Sequence, residues 1–245
     1  MNKELVTVVT VCYNVSNDLN KTLQSVINQS YENIECVIID GGSSDCSVDI
    51  IKKYESIAFK NNISFKWISE PDNGIYDAMN KGISLAKGKW INFMNAGDLF
   101  NDKCALESAL KYSSGADLIY SDTLFSNGRV FICQENKNRI IHQSLIYKKS
   151  LHNEFGLYLN SKGITISDYL FFQSCKAKNW YKTDVIIAKC DSNGVSSHLE
   201  HFKQKIAIDI MFKNIGRIQA SFILLLHPIY NKVKSFLLTK GGRGG

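Results

Sequence analysis

Apolar and polar positions come in alternating blocks over the first hundred residues. Four apolar runs, LVTVVTV (5–11), IECVIID (34–40), ISFKWIS (63–69) and WINFMNA (90–96), are separated by polar stretches that carry apolar residues at helical spacing. The runs are short and rich in Val and Ile, so they predict strands, and the intervening stretches predict helices, the βαβα order of a parallel sheet. Leu19, Leu23, Val26 and Ile27 fall on one helical face behind the capping candidates Ser16 and Asn17; Val48, Ile51, Tyr54 and Ile57 do the same behind Ser43, Ser44 and Asp45. Ile75, Ala78, Met79 and Ala86 predict the face of a third helix, leaving Asp77, Asn80, Lys81 and Ser84 off it, with Gly88 as its terminator. From 117 the rhythm changes: DLIYSD and RVFIC predict strands joined near SNG, which adds antiparallel members to the sheet. Residues 140–195 are mixed, and beyond 198 the chain is basic, helical in period and broken at Pro228.

The pattern predicts an α/β fold with a mixed, mostly parallel sheet flanked by helices. One domain covers 1–198, with halves at about 1–125 and 126–198; basic amphipathic helices follow over 199–240. The terminal GGRGG (241–245) has no structural content and reads as a disordered tail or an expression remnant.

Composition narrows the picture. Of 245 residues, 44% are hydrophobic, enough to bury a large core. The seven cysteines are odd in number, widely spaced and without a C-x-x-C pair, so they predict reduced thiols serving mostly as small core residues. The first residues lack a signal-peptide pattern, and no run has the ~20 apolar residues of a membrane span, so a cytoplasmic protein is expected. Net charge is +6, yet residues 201–245 hold eight Lys or Arg against the single acid Asp209. The positive field therefore sits in the tail. It lacks an aromatic stacking platform or a known binding motif, which argues against nucleic acid as a partner.

Ligands of an open parallel sheet sit at the carboxyl ends of its strands. The four loops expected there are CYN (12–14), DGGSSD (40–45), EPDNG (70–74) and NAGD (95–98), each dense in small or charged residues. Asp40, at the end of a buried strand, is costly unless it is paired or binds something. Taken alone, Asp40 and Asp45 could equally cap the next helix, and Asp77 and Lys81, at i and i+4, could be an ordinary surface ion pair.

TVVTVCYN, IIDGGSSD, SEPDNGIYDAMNKGISLAKG and INFMNAGD, in this order and spacing, resemble the inverting GT-A glycosyltransferases of family 2, most closely over 5–125 and more weakly to about 200. Within that family the chain is similar to small bacterial enzymes that assemble O-antigen, capsule or exopolysaccharide units on a lipid carrier. The resemblance implies a GT-A, Rossmann-like fold. It also implies a hexosyltransferase using a UDP-sugar, with UDP-galactose as the working guess, and a polyprenyl-diphosphate-linked saccharide as acceptor. Thr10, Val11 and Tyr13 would hold the base, Asp40 the base or ribose, and Gly74, Asp77 and Lys81 the sugar and diphosphate. The NAGD turn, Asn95, Ala96, Gly97 and Asp98, would carry the donor, with Asp98 as ligand of Mn²⁺ or Mg²⁺ and Gly97 where the family often has a second acid. His198 would complete the metal shell. ISDYLFFQSC (166–175) supplies Asp168 as the base for the acceptor hydroxyl, with Ser167 in place of the usual preceding acid. IIHQSLIYKK (140–149) places His142 and Gln143 in the acceptor and diphosphate region.

The plainer alternatives are Asp98 as a cap of the helix expected over 102–112, Asp168 as a first-turn helix residue and His142 as a hydrogen-bonded core histidine. One carboxylate suffices if diphosphate oxygens and water complete an octahedral shell, so metal is expected to bind appreciably only together with the nucleotide. Ile206, Ile210, Met211, Phe222, Leu225 and Leu226 give the basic tail an apolar side, which predicts peripheral contact with the anionic inner face of the cytoplasmic membrane; a cover for the domain or a homo-oligomer contact is the competing reading. Rival functions are a nucleotidyltransferase, which would need an Arg- or Lys-bearing first loop where CYNVSND has neither, and a non-catalytic sugar-nucleotide-binding or scaffold subunit.

Overall fold

The computed structural model describes residues 3–111, 114–191 and 199–225. In chain order the elements are β1 (Val6–Cys12), α1 (Ser16–Ile27), β2 (Ile34–Asp40), α2 (Ser47–Lys60), β3 (Ser64–Ser69), α3 (Ile75–Leu85), β4 (Trp90–Phe93) and β5 (Leu99–Phe100). There follow α4 (Ala105–Leu110), β6 (Leu118–Tyr120), β7 (Thr123–Phe125), β8 (Val130–Phe131), β9 (Leu145–Lys148), α5 (Leu151–Phe155), α6 (Ser167–Ser174), β10 (Trp180–Lys182), β11 (Ala188–Cys190) and α7 (Leu199–Met211). Residues 217–225 are also helical.

The main sheet has seven strands in the order β10-β6-β9-β4-β1-β2-β3. β4, β1, β2 and β3 run parallel, as the alternating blocks predict, and β9 inserts antiparallel between β4 and β6. β1 and β2 are buried at every position, as central strands covered on both faces must be. Alternation sorts their side chains: Val6 and Val8 join the core that includes Leu19, Leu23 and Ile51 of α1 and α2, while Val9 and Val11 join the core of Met79, Ile83 and Phe171 on the other face.

Several expectations are corrected. DLIYSD and RVFIC do not form one hairpin: β6 belongs to the main sheet, and it is β7 that pairs antiparallel with β8 in a second, four-stranded sheet ordered β5-β11-β7-β8. Ile75 is half exposed, because Tyr76 takes the inward position and turns the helix about its axis. Gly88 does not terminate α3, which ends at Leu85. A Cβ at Gly88 would lie 2.6 Å from the Thr7 backbone nitrogen, so this glycine permits a close approach to β1. The N-caps of α1 and α2 are Val15 and Cys46, neither with a side-chain cap bond. Asp45 instead accepts hydrogen bonds from the backbone nitrogens of Ser16 and Ser47, tying both helix starts to one carboxylate.

Ile206 does not lie on an outward face; it is buried, and α7 is fastened to α6 by the buried Asp209, which accepts from Tyr169 Oη, Lys205 Nζ and Asn214 Nδ2. Met211, Ile218, Phe222 and Leu225 are exposed. Among the described residues no helix is long and apolar enough to cross a membrane. Leu226, Pro228 and the tail 241–245 lie outside the described residues.

Candidate active site

The carboxyl ends of β1 to β4 form one edge, and the loops leaving β1 and β2 are zipped together there. Asn14 takes up a left-handed conformation (φ 52°), its backbone nitrogen donates to Ser43 Oγ, and its Oδ1 accepts from the Ser44 nitrogen. Asp40 is fully buried, and its carboxylate accepts from the backbone nitrogens of Gly42 and Ser43 and from Ser43 Oγ and Ser69 Oγ. Burial pushes this acid up, but the convergent donors outweigh it and hold it below the usual carboxylate range. A nucleoside would have to displace one of these donors to reach it.

Thr10 is buried within the β1–β2 ladder with no hydrogen-bond partner for its Oγ1, and the Val11 carbonyl accepts from the Ala96 nitrogen. Tyr13 stands 61% exposed beside Gly41 and Asp72. Gly74 precedes α3. Lys81 pairs with Glu70 at 2.8 Å and lies 3.7 Å from Asp77, along a shallow hollow lined by Ile68, Asn80, Ser84 and Leu85. These partners keep it from joining the acids described next.

The turn after β4 is held from below by Thr22 of α1, whose hydroxyl donates to the Asp98 carbonyl at 2.8 Å and accepts from the Gly97 nitrogen at 3.0 Å. Gly97 has φ +104° with open space where a Cβ would project, so a side chain there would be strained by the backbone, not by crowding. Asp98 Oδ2 accepts from Gln143 Nε2 at 2.6 Å. Burial dominates at this acid and pushes it above the usual carboxylate range, although Gln143, His142 and Cys190 pull it down.

Asp168 lies in the first turn of α6. Its Oδ1 accepts from Tyr76 Oη at 2.7 Å and its Oδ2 from His142 Nδ1 at 3.0 Å, with 21% of the side chain exposed. Burial would raise it, but the bonds and charge of His142 and the bond from Tyr76 more than offset this, leaving it below the usual range. Asn95 Nδ2 lies 3.2 Å from His142 Nε2, an arrangement that places the imidazole proton on Nδ1, facing Asp168.

His142 and Gln143 are consecutive residues of the 3-10 turn His142–Ser144, and one reaches Asp168 while the other reaches Asp98. The structure therefore joins Asn95, Asp98, His142, Gln143 and Asp168 in one cluster. It leaves Asp40, Asp77 and Lys81 with partners elsewhere along the edge, and His198 lies outside the described residues. Sequence reasoning missed Tyr76 and Thr22. Tyr76 follows the exposed Ile75, and the signal available was a phenol at the start of the helix after EPDNG.

Among the described residues no three His, Cys, Asp or Glu side chains converge as a metal group. The donor set offers one hard carboxylate ligand, Asp98.

Residues 7–168 match the family described as Glycosyl transferase family 2. A PGL/p-HBAD biosynthesis glycosyltransferase of Mycobacterium bovis is 30% identical over 174 residues, 66% of this chain and 66% of that protein, just under two thirds of its length. An uncharacterized glycosyltransferase of Mycobacterium tuberculosis is 29% identical over 211 residues, 80% of this chain and 78% of that protein. Among solved structures, residues 1–349 of S. aureus TarS in complex with UDP match with a TM-score of 0.69 at 17% identity, over 90% of this chain and 69% of that one. The mannosyltransferase PcManGT from Pyrobaculum calidifontis, in complex with GDP-Man and Mn²⁺, matches at 0.70 and 14% identity, over 100% of this chain and 77% of that one. At such identities the likeness to the solved structures is one of fold, the GT-A type. The family match spans well over half of the chain, and the protein belongs to glycosyl transferase family 2.

Proposed function

We propose that the protein is an inverting glycosyltransferase that moves a hexose, galactose as the working donor sugar, from a UDP-sugar to a saccharide carried on a polyprenyl diphosphate, in surface-polysaccharide synthesis. The observation that carries this reading is the Asp168 carboxylate, held ionised by Tyr76 and His142 and linked through the turn His142–Ser144 to Asp98. In the step, Asp168 takes the proton of the acceptor hydroxyl as that oxygen attacks the anomeric carbon. The bond from that carbon to the donor diphosphate breaks, and its electron pair leaves on the diphosphate. Asp98 would hold a divalent cation, Mn²⁺ or Mg²⁺, which neutralises charge on the leaving diphosphate. A single carboxylate suits hard cations whose remaining ligands come from phosphate and water.

UDP as the donor nucleotide is supported by the fold neighbour solved with UDP; the neighbour solved with GDP-Man makes a guanine nucleotide the control. The exposed Met211, Ile218, Phe222 and Leu225, on a segment that also carries Lys213 and Arg217, support contact with an anionic membrane. A second reading, a sugar-nucleotide-binding subunit without catalysis, is favoured by one observation, the single acid of the NAGD turn. Asp168→Asn and Asp98→Ala separate the two. Transfer lost in Asp168→Asn with UDP binding kept supports catalysis, and normal transfer in both variants refutes the assignments. A screen of UDP- and GDP-sugars for hydrolysis and for protection against thermal unfolding identifies the donor.

A further inference from the structure

The strand β4 reads Trp, Ile, Asn, Phe, and its one polar residue, Asn92, is fully buried. A central strand is better served there by Val or Ile, and a buried amide lacking partners costs ~1–3 kcal/mol. Asn92 uses only half of its capacity. Nδ2 donates to the Gln143 carbonyl at 3.0 Å and to the Leu145 carbonyl at 2.9 Å, while Oδ1 has no partner. The amide is thus present as a double donor, and both acceptors belong to the segment that carries His142 and Gln143.

We propose that Asn92 is a positioning residue for the transfer reaction: by holding the carbonyls of Gln143 and Leu145 it fixes the turn whose two side chains engage Asp98 and Asp168. The inference rests on the roles given to those two acids above. The turn His142–Ser144 has two backbone bonds, from the Ser144 nitrogen to the Ile141 carbonyl at 3.0 Å and from the Leu145 nitrogen to the His142 carbonyl. Ser144 is tied separately, through Thr123 Oγ1 at 2.6 Å and through the Ser121 nitrogen on its carbonyl. Asn92 grips the residue before it, and so controls how far His142 and Gln143 stand above the sheet. A three-residue turn cannot move one of these side chains without the other, so one buried amide sets the spacing between the donor-side acid and the base. Loss of the grip displaces both contacts by a fraction of an ångström to an ångström, and misplacement on this scale is enough to cost a reaction ~100-fold.

The test uses the full chain. Asn92→Leu keeps the branched shape and removes both donors. Transfer by this variant is expected to fall about 30- to 100-fold in kcat. The acid limb of its pH profile should move to higher pH, because His142 no longer holds Asp168. In a His142→Asn background the same substitution should no longer move the acid limb, since that shift runs through the single His142–Asp168 contact, while the loss carried by Gln143 remains. A folded Asn92→Leu protein with kcat within 3-fold of the parent and an unmoved acid limb overturns the inference. So does an acid limb that Asn92→Leu still moves in the His142→Asn background, which marks Asn92 as a packing residue only. If Asn92→Leu does not fold, Asn92→Ser, whose single hydroxyl donor can serve only one of the two carbonyls, is judged by the same three readings. Failure of the wider reading looks different: there Asp168→Asn itself retains transfer.

Discussion

Asp98 and Asp168 are two carboxylates served by consecutive residues of one turn, yet their surroundings push them in opposite directions. Asp168 receives two hydrogen bonds, from a phenol and an imidazole, and is held below the usual range. Asp98 is dominated by burial, with Gln143 as its close donor, and is held above it. Two acids driven apart in this way suit different tasks. The acid kept ionised by a phenol and an imidazole stands ready to accept a proton. The acid left short of compensation gains most from an arriving cation. Under the roles proposed for them, the donor side would be incomplete until charge is supplied, while the base side would be complete as it stands.

The largest effect should come from removing the base. Asp168→Asn is expected to lower kcat by about 10²- to 10⁴-fold, the range of general-base catalysis, with UDP affinity unchanged in a calorimetric titration. Next, Asp98→Ala should weaken metal-dependent UDP binding at least ~10-fold, since loss of even outer-shell partners costs 10- to 100-fold, and should leave the weak metal-free binding unaltered. Equal effects of both substitutions on nucleotide affinity would erase the distinction between the two acids.

His142→Asn tests the contrast more finely. Removing the imidazole leaves burial unopposed by its strongest partner, so the Asp168 pKa rises and kcat/KM is lost at a higher pH on acidification. A profile identical to the parent would show that His142 does not tune the base. Tyr76→Phe removes the other donor and is expected to cost about 3- to 10-fold in kcat, one neutral hydrogen bond's worth.

The smallest effect is on stability, measured by thermal unfolding with chelator and without nucleotide. Asp168 has a folded pKa below its unfolded value, so its ionisation stabilises the fold above the usual Asp range of about 4, and that contribution is lost as pH falls through the lowered value. Asp98 has the reverse sign: its raised folded pKa favours the protonated form, and its contribution is lost as pH rises through that value. At pH 7 Asp168→Asn should therefore lower the unfolding temperature and Asp98→Asn should raise it. For a chain of this size ~1 kcal/mol corresponds to about 2–4 °C. Shifts of the same sign would contradict the comparison.

The parallel half of the fold was legible because its strands are apolar blocks and its site residues are the few polar ones at their ends. Asp98 was singled out in the same way, as an acid at the end of an apolar run, whereas Asp168 was singled out only by the resemblance of ISDYLFFQSC to the family. The insertion of β9 between β4 and β6 was not legible, since Leu145–Lys148 is a four-residue segment whose partners lie some 25 to 58 residues back in the chain. Thr22, Tyr76 and Asn92 were hidden for a common reason. Each is a polar side chain inside a periodic apolar pattern, where its value depends on a partner 51 to 92 residues away. Ile75 misled for the converse reason: an apolar residue at the right spacing, turned outward because the phenol beside it took the inward place.

The shared turn has a consequence for modularity. A chimera that takes its donor half from this chain and its acceptor half from a relative would ordinarily be joined in the loops between β8 and β9. Any junction before His142 hands both the base's histidine and the donor acid's glutamine to the incoming half, while Asn95, Asp98 and Tyr76 stay behind. Swapping acceptor specificity within this architecture therefore calls for a graft that begins after Gln143 or carries β4 along with it.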